Sequence, residues 1–479
     1  MNSSRRTRAA RFTFLAITLL LFMSSCGRSR KSSGNLVAAG SLIADSIHFQ
    51  YAVFILPSPS RPKDPLRVLH ELLATKYAEL KLVDEIPEPP KAMSIRARVP
   101  KNVQKEYAPP DMNSLQYFGR GISKEQALAL QNSEGALVLD FGDPKEQVWT
   151  ALRSANQLVE EIARRTGGLV WDEETREIFS PNTWHEKRIA SWPAGVPDVS
   201  SQTVVHAYNN GEYVRAITLG MAKLGLPDVV IEDSTWSSNN QVGNLINLFC
   251  QSMAERGTLK KAGEFRLELR AIKNSTVRDN QVKFLKNNAA GVACLTLKKG
   301  KWEEGDPKNR LIELTPENYP GNDLHAKQDS MMSSFFGSED ALVKVQHNEE
   351  LLAASARAKA KLPELQKVFA AGLQPGEFID LKAPFRTPDG GTEWMWVEVT
   401  TWKDDKIKGL LDNEPSFISG LYAGQVVEVR QEDIFDYIRH YPDKHTEGNT
   451  TSDIIRKMDE SKGASSTAAP PVIPECAVN

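Results

Sequence analysis

The 479-residue chain has only four cysteines. None of them lies in a Cys-x-x-Cys pair, which argues against a structural zinc site of the usual spacing. No Gly-x-x-x-x-Gly-Lys-Ser/Thr stretch occurs, so a phosphate cradle of that type is excluded. Gly119-Arg120-Gly121-Ile122-Ser123-Lys124 lacks the third glycine of a dinucleotide loop, and there is no Gly-x-Ser-x-Gly nucleophile elbow. Trp184-His185-Glu186-Lys187-Arg188-Ile189 begins like a zinc-protease helix, but Ile189 stands where the second histidine belongs. His185 is therefore expected at the surface or between domains. Positive charge is not in excess either. The formal net charge is −2 and no long basic stripe occurs, which argues against nucleic-acid binding. Beyond residue 25 no apolar run is long enough to span a bilayer, and no internal repeat is visible.

What is present begins at the N-terminus. Arg5, Arg6, Arg8 and Arg11 form a basic region without an acid, residues 12–23 are apolar, Ser24 and Ser25 are small, and Cys26-Gly27 follows. This is the layout of a secretory signal peptide, too short in its apolar part for an anchor. It resembles the lipobox of bacterial lipoproteins, with Met23 where that family usually has leucine. The resemblance implies a signal peptide over residues 1–25, cleavage before Cys26, lipidation of the Cys26 thiol, and a tether over residues 26–45. The expected location is the bacterial cell envelope, lipid-anchored and exported.

Strand and helix signals then alternate. Residues 51–56 read as a buried strand, and Asp64-Pro65 opens a helix carrying Leu66, Val68, Leu69, Leu72 and Leu73. Residues 136–141 are strand-like. Asp143-Pro144 is expected to open a helix in which Val148, Leu152, Ala155, Leu158, Val159 and Ile162 share a face, ending near Gly167. Residues 204–208, 216–221, 229–231, 265–272 and 292–297 are further strand candidates. Val242, Leu245, Ile246, Phe249, Cys250 and Met253 repeat at helical spacing. The pattern predicts a mixed α+β and α/β fold: an N-terminal sheet-and-helix domain over residues 46–315, a linker over 316–344, and a small antiparallel-sheet-plus-helix module over 345–458. In that module a helix over 349–371 is broken or restarted by Pro363. Strands follow at 378–383, 393–402, 407–411 and 426–429, with a last helix over 432–440. Residues 459–479 read as a disordered tail. Cys250 and Cys294 read first as small buried hydrophobes, with a disulfide between them as the alternative for an exported protein. Cys476 has no obvious partner.

Asp389-Gly390-Gly391, Glu393-Trp394-Met395-Trp396-Val397, Gly409-Leu410-Leu411 with Asn413 and Pro415, and Gly420-Leu421 with Gly424 make residues 345–450 resemble the bacterial YegJ-like family, domain of unknown function 2314. The helix containing Ala356 and Leu362-Pro363 also fits, while Gln425 stands where an acid is expected. That family has no established activity, so the resemblance implies a fold module and no reaction. Alternation across 393–402 sends Met395, Val397 and Val399 to one side and Trp394, Trp396, Glu398 and Trp402 to the other. With the first side as core, Trp394, Trp396 and Trp402 are either covered by a helix or by the N-terminal domain, or form an aromatic surface for a peptide, glycan or partner.

Two polar clusters are candidates for chemistry. Asp140, Asp143 and Asp172 flank strand ends, where ligands of α/β sheets tend to bind. Helix capping by Asp143 and a turn at Asp172 explain two of them without chemistry. His440, Asp443 and His445 lie at a spacing that suits a metal or an acid–base set, on a loop bounded by Pro442 and Gly448. The reading that results is a non-catalytic, lipid-anchored envelope protein that binds a protein or cell-wall partner, without cofactor or metal. The rivals are a hydrolase at either polar cluster and a ligand sensor whose domains close on a small molecule.

Overall fold

A computed structural model describes residues 35–57, 64–192, 194–286, 288–337, 349–388 and 390–455, together with Pro474 and Cys476. The expected signal peptide, Cys26 and the first part of the tether lie outside the described residues, as do Asp389 and most of the C-terminal tail. The chain from Leu36 onward forms one compact unit.

Its first sheet has seven strands, centred on Ser46–Ile55 between Gly135–Pro144 and Leu169–Asp172. Along Ser46–Ile55 burial first alternates and then becomes continuous from Tyr51 onward, because that end of the sheet is covered on both faces. The helix Val148–Thr166 packs on one face through Leu152, Ala155, Leu158, Val159 and Ile162. The short helices Met112–Phe118 and Lys124–Gln131 cover Phe54, Ala136 and Leu169 on the other. The long helix stops at Gly167 in the left-handed conformation, φ 71°.

The second sheet has six strands in the order Glu264–Glu268, Val292–Lys299, Leu311–Thr315, Asp228–Ser234, Tyr213–Leu219 and Val204–Asn210. Only the Asp228–Ser234 and Leu311–Thr315 pair is parallel among these strands. Residues read as one sheet domain thus hold two sheets, and both contribute to a single hydrophobic core. Residues 316–344, expected as a linker, contain the helix Leu324–Phe336. Met331, Met332, Phe335 and Phe336 of that helix are buried in this same core. Burial of four large apolar side chains outweighs the mixed polarity of the segment.

The third sheet is antiparallel throughout, in the order Val426–Arg430, Lys406–Leu411, Thr392–Lys403, Phe378–Arg386, Asp436–His440 and Thr446–Gly448. The helix Glu349–Ala371 runs unbroken through Pro363, whose ring faces solvent. Residues 432–440, expected as a helix, instead make a short turn at Gln431–Asp433 and the strand Asp436–His440. Pairing with Phe378–Arg386 decides this, and the Phe435-Asp436-Tyr437-Ile438 run suits a strand. Helices, two mixed sheets and an antiparallel one together make the α+β architecture that the sequence predicts.

Candidate functional site

One face of the third sheet packs on Glu349–Ala371 through Ile379, Leu381, Met395, Val397 and Val399. The opposite face carries Asp380 and Glu398, which are direct partners across neighbouring antiparallel strands. Both are almost fully buried, at 3% exposure each. Like charges directly opposite each other on a sheet are unfavourable, so this pairing needs an account. Burial, then the nearby Asp412 charge, pushes the Asp380 carboxyl well above the usual carboxylate range. Burial, then Asp380, pushes Glu398 up to about 8, against the opposing pull of two backbone N–H groups. His440 Nε2 lies 2.9 Å from Asp380 Oδ2, and the His440 ring stacks on Phe378 at 4.1 Å. Burial holds this imidazole below its ordinary pKa. Asp380 Oδ1 is buried without a hydrogen-bond partner.

This face docks onto the second sheet. The N–H groups of Trp236 and Ser237 donate to Glu398 Oε1 and Oε2 at 3.1 and 2.9 Å. They belong to the segment that leads into the helix Asn239–Arg256. The Lys408 ammonium pairs with Glu212, and the Tyr213 hydroxyl donates to the Gly424 carbonyl. Gly424 has φ 77°, and a Cβ there would stand 2.3 Å from the Cβ of His325. Only glycine permits that approach. Between the two halves lies a cleft of about 300 Å3. Thr235, Ser237, Ser238 and Gln241 line one side, Asp412 and Asn413 the other, with Lys286, His325, Gln328 and Asp329 completing it. Hydroxyl and amide groups predominate, which suits a small polar ligand held by hydrogen bonds.

The residues singled out in the sequence do not assemble there, with one exception. His440 joins the cluster through Asp380. Asp443 and His445 instead pair with each other in an exposed turn, because the strand ends at His440. Among the described residues no group of three or more His, Cys, Asp or Glu could hold a metal ion.

The three aspartates of the first sheet fall on both of its faces. Asp140 pairs with Gln50 on the outer face, whereas Asp143 and Asp172 pair with Ile47 and Tyr51 on the inner one. Ile47 and Tyr51 are four positions apart, ~13 Å along the strand. Asp140 lines an open cleft of about 490 Å3 with His48, Gln50, Arg96 and Glu174. Burial works against its charge, but hydrogen bonds from Arg98, Gln50 and Arg96 hold its pKa down. Asp143 caps no helix, since it lies within the strand Gly135–Pro144. Both of its oxygens are buried without a partner, and burial pushes it up to about 7. Asp172 makes the expected turn, accepting from the Glu174 and Thr175 N–H groups. It also pairs with the buried Arg188 and Lys223. Burial pulls the Lys223 ammonium down to about 8. His185 is exposed beside Glu160, as its sequence context predicts.

The tryptophans divide as well. Trp402 is in the core with Met395, Val397 and Val399, not on the Trp394 and Trp396 face. A register irregularity between Val399 and Thr401 inserts one residue and reverses the alternation. Trp394 packs on Phe435, Leu351 and Ile454, and Trp396 lies under the Lys382 ammonium at 5.3 Å. Cys250 is buried and free, and Cys294 bonds to Cys476, so the pairing of Cys250 with Cys294 does not occur.

Sequence reasoning missed Asp380 and Glu398 as a pair, together with the 235–238 segment that meets them. A signal existed in two acids set inside apolar strands, Ile379-Asp380-Leu381 and Val397-Glu398-Val399. Their opposition depends on strand register, which periodicity does not supply.

No curated protein and no solved structure matches the chain. Residues 349–468 match the family described as an uncharacterized protein conserved in bacteria (DUF2314), which contains Asp380, Glu398, Asp412 and His440 and forms one wall of the cleft.

Proposed function

We propose that this is an exported, lipid-anchored protein of the bacterial envelope that binds a small polar ligand in the junction cleft, with a YegJ-like module as one of its two jaws. The observation that carries this reading is the cleft itself, to which one half contributes hydroxyl and amide groups and the C-terminal module the Asn413 amide and the Asp412 carboxylate. The Arg-rich start, the apolar stretch and Cys26 support export and lipidation. A disulfide between Cys294 and Cys476 accords with an oxidising compartment. Trp394 and Trp396 remain the candidates for a protein or cell-wall contact, while Trp402 serves the core.

Binding without turnover raises the melting temperature. A panel of sugars, amino acids and short peptides should contain members that raise it for the native chain and not for a folded Gln241→Leu variant. An equal response in both proteins sinks the cleft assignment. A second reading, hydrolysis, draws on the His440–Asp380 contact. Release of product that stops in His440→Gln, with the melting temperature unchanged, would replace binding by catalysis.

A further inference from the structure

The opposition of Asp380 and Glu398 has no structural benefit in a permanently sealed interface. A hydrophobic pair or an acid–amide pair would fill the same space without placing two carboxylates together. Glu398 is nonetheless what touches the other half, through the N–H groups of Trp236 and Ser237. The groups facing it are mostly acidic. Asp380 comes from Phe378–Arg386, Asp412 from the end of Lys406–Leu411, and His440 from Asp436–His440. Lys382, next along the same face, lies over Trp396 and interacts with Asp436. Residues 235–238 are Thr, Trp, Ser and Ser and bring no ionisable side chain. Lys286, His325 and Asp329 stand elsewhere around the cleft.

We propose that the Asp380–Glu398 pair is a proton-operated latch on the cleft: with a proton bound, the C-terminal module seals against the 235–238 loop, and without it the seal loosens. Asp380 and Glu398 are buried together with the half-buried Asp412 acting on both, so the proton belongs to the group as a whole. The direction follows from linkage. In the docked form burial, then Asp380, raises Glu398 above its ordinary 4.5 to about 8, against the pull of the Ser237 and Trp236 N–H groups, so the docked form holds a proton that Glu398 releases at lower pH once its face is open to water. Docking is therefore strongest at and below 4.5, weakens as pH rises through about 8, and levels off above that. Between those limits the docking constant falls up to about tenfold per pH unit. The inference concerns regulation of the cleft assigned above to a ligand, and it rests on that assignment only for its biological use.

The test is amide hydrogen exchange on the full chain without ligand, corrected for intrinsic exchange, from about pH 5.5 to about pH 8.5. Protection of the Trp236 and Ser237 amides should fall at least about tenfold across that range, while amides in Val148–Thr166 stay unchanged. In Glu398→Gln the fall should disappear. Flat protection in the native chain, or the same fall in the variant, overturns the latch. Should Glu398→Gln fail to fold, Asp412→Asn decides. It removes one repelling charge and should move the midpoint to lower pH, and an unmoved midpoint overturns the proposal. Since no ligand is present, failure here leaves the binding assignment intact, and a failed ligand screen leaves the latch intact.

Discussion

Asp143 is a buried carboxyl with no hydrogen-bond partner, one residue before the end of its strand. An unpaired buried acid survives because it takes up a proton, which burial favours up to about pH 7. The raised value sets the sign of its effect. Asp143 costs little below 3.8, its ordinary value, and destabilises the fold progressively as pH rises towards about 7. Asp143→Asn should remove that slope, gaining on the native chain on the order of 1 kcal/mol per pH unit over the interval. Denaturant unfolding at several pH values checks this, and parallel stability curves would refute it. The same residue shows the difference between composition and position. Its Asp-Pro context is that of a helix cap, yet the strand Gly135–Pro144 keeps its full pairing with Ser46–Ile55 to the end, so the side chain is carried into the core.

At the level of elements, long periodic segments were legible and their borders were not. The Val148–Thr166 and Asn239–Arg256 helices and the strands around Val397 follow from their apolar spacing. Three departures share a cause, because each depends on a neighbour distant in sequence. Asp436–His440 is a strand because Phe378–Arg386 offers it an edge. Trp402 changes face because one extra residue is accommodated opposite Lys406–Leu411. Leu324–Phe336 is a core helix because it packs on the second sheet beside Asn239–Arg256. This last case can be measured. Phe335→Ala should cost ~3–5 kcal/mol as a core truncation. In a solvated linker the same change would cost less than about 0.5 kcal/mol, and a loss that small would remove the helix from the core. The candidate site was legible only at His440. The acids beside it become meaningful once strand register sets Asp380 against Glu398.

For the whole molecule, the decisive bond is the one between Cys294 and Cys476. It spans 182 positions in sequence, with Cα atoms 5.8 Å apart. In the chain-entropy account, closing a loop of that length disfavours the unfolded state by about 5 kcal/mol. Cys476→Ser should lower stability by up to that amount, and reductant should do the same to the native chain but not to the variant. Equal responses of the two proteins to reductant would show that the bond contributes nothing. Cys294 sits in the second sheet, and the third sheet lies wholly between the two cysteines along the chain. The last sheet is therefore held by peptide on one side and by sulfur on the other. A protease site engineered between Phe336 and Glu349 would cut the chain without dividing the molecule. The two fragments would migrate as one band on a denaturing gel and separate only when thiol is added.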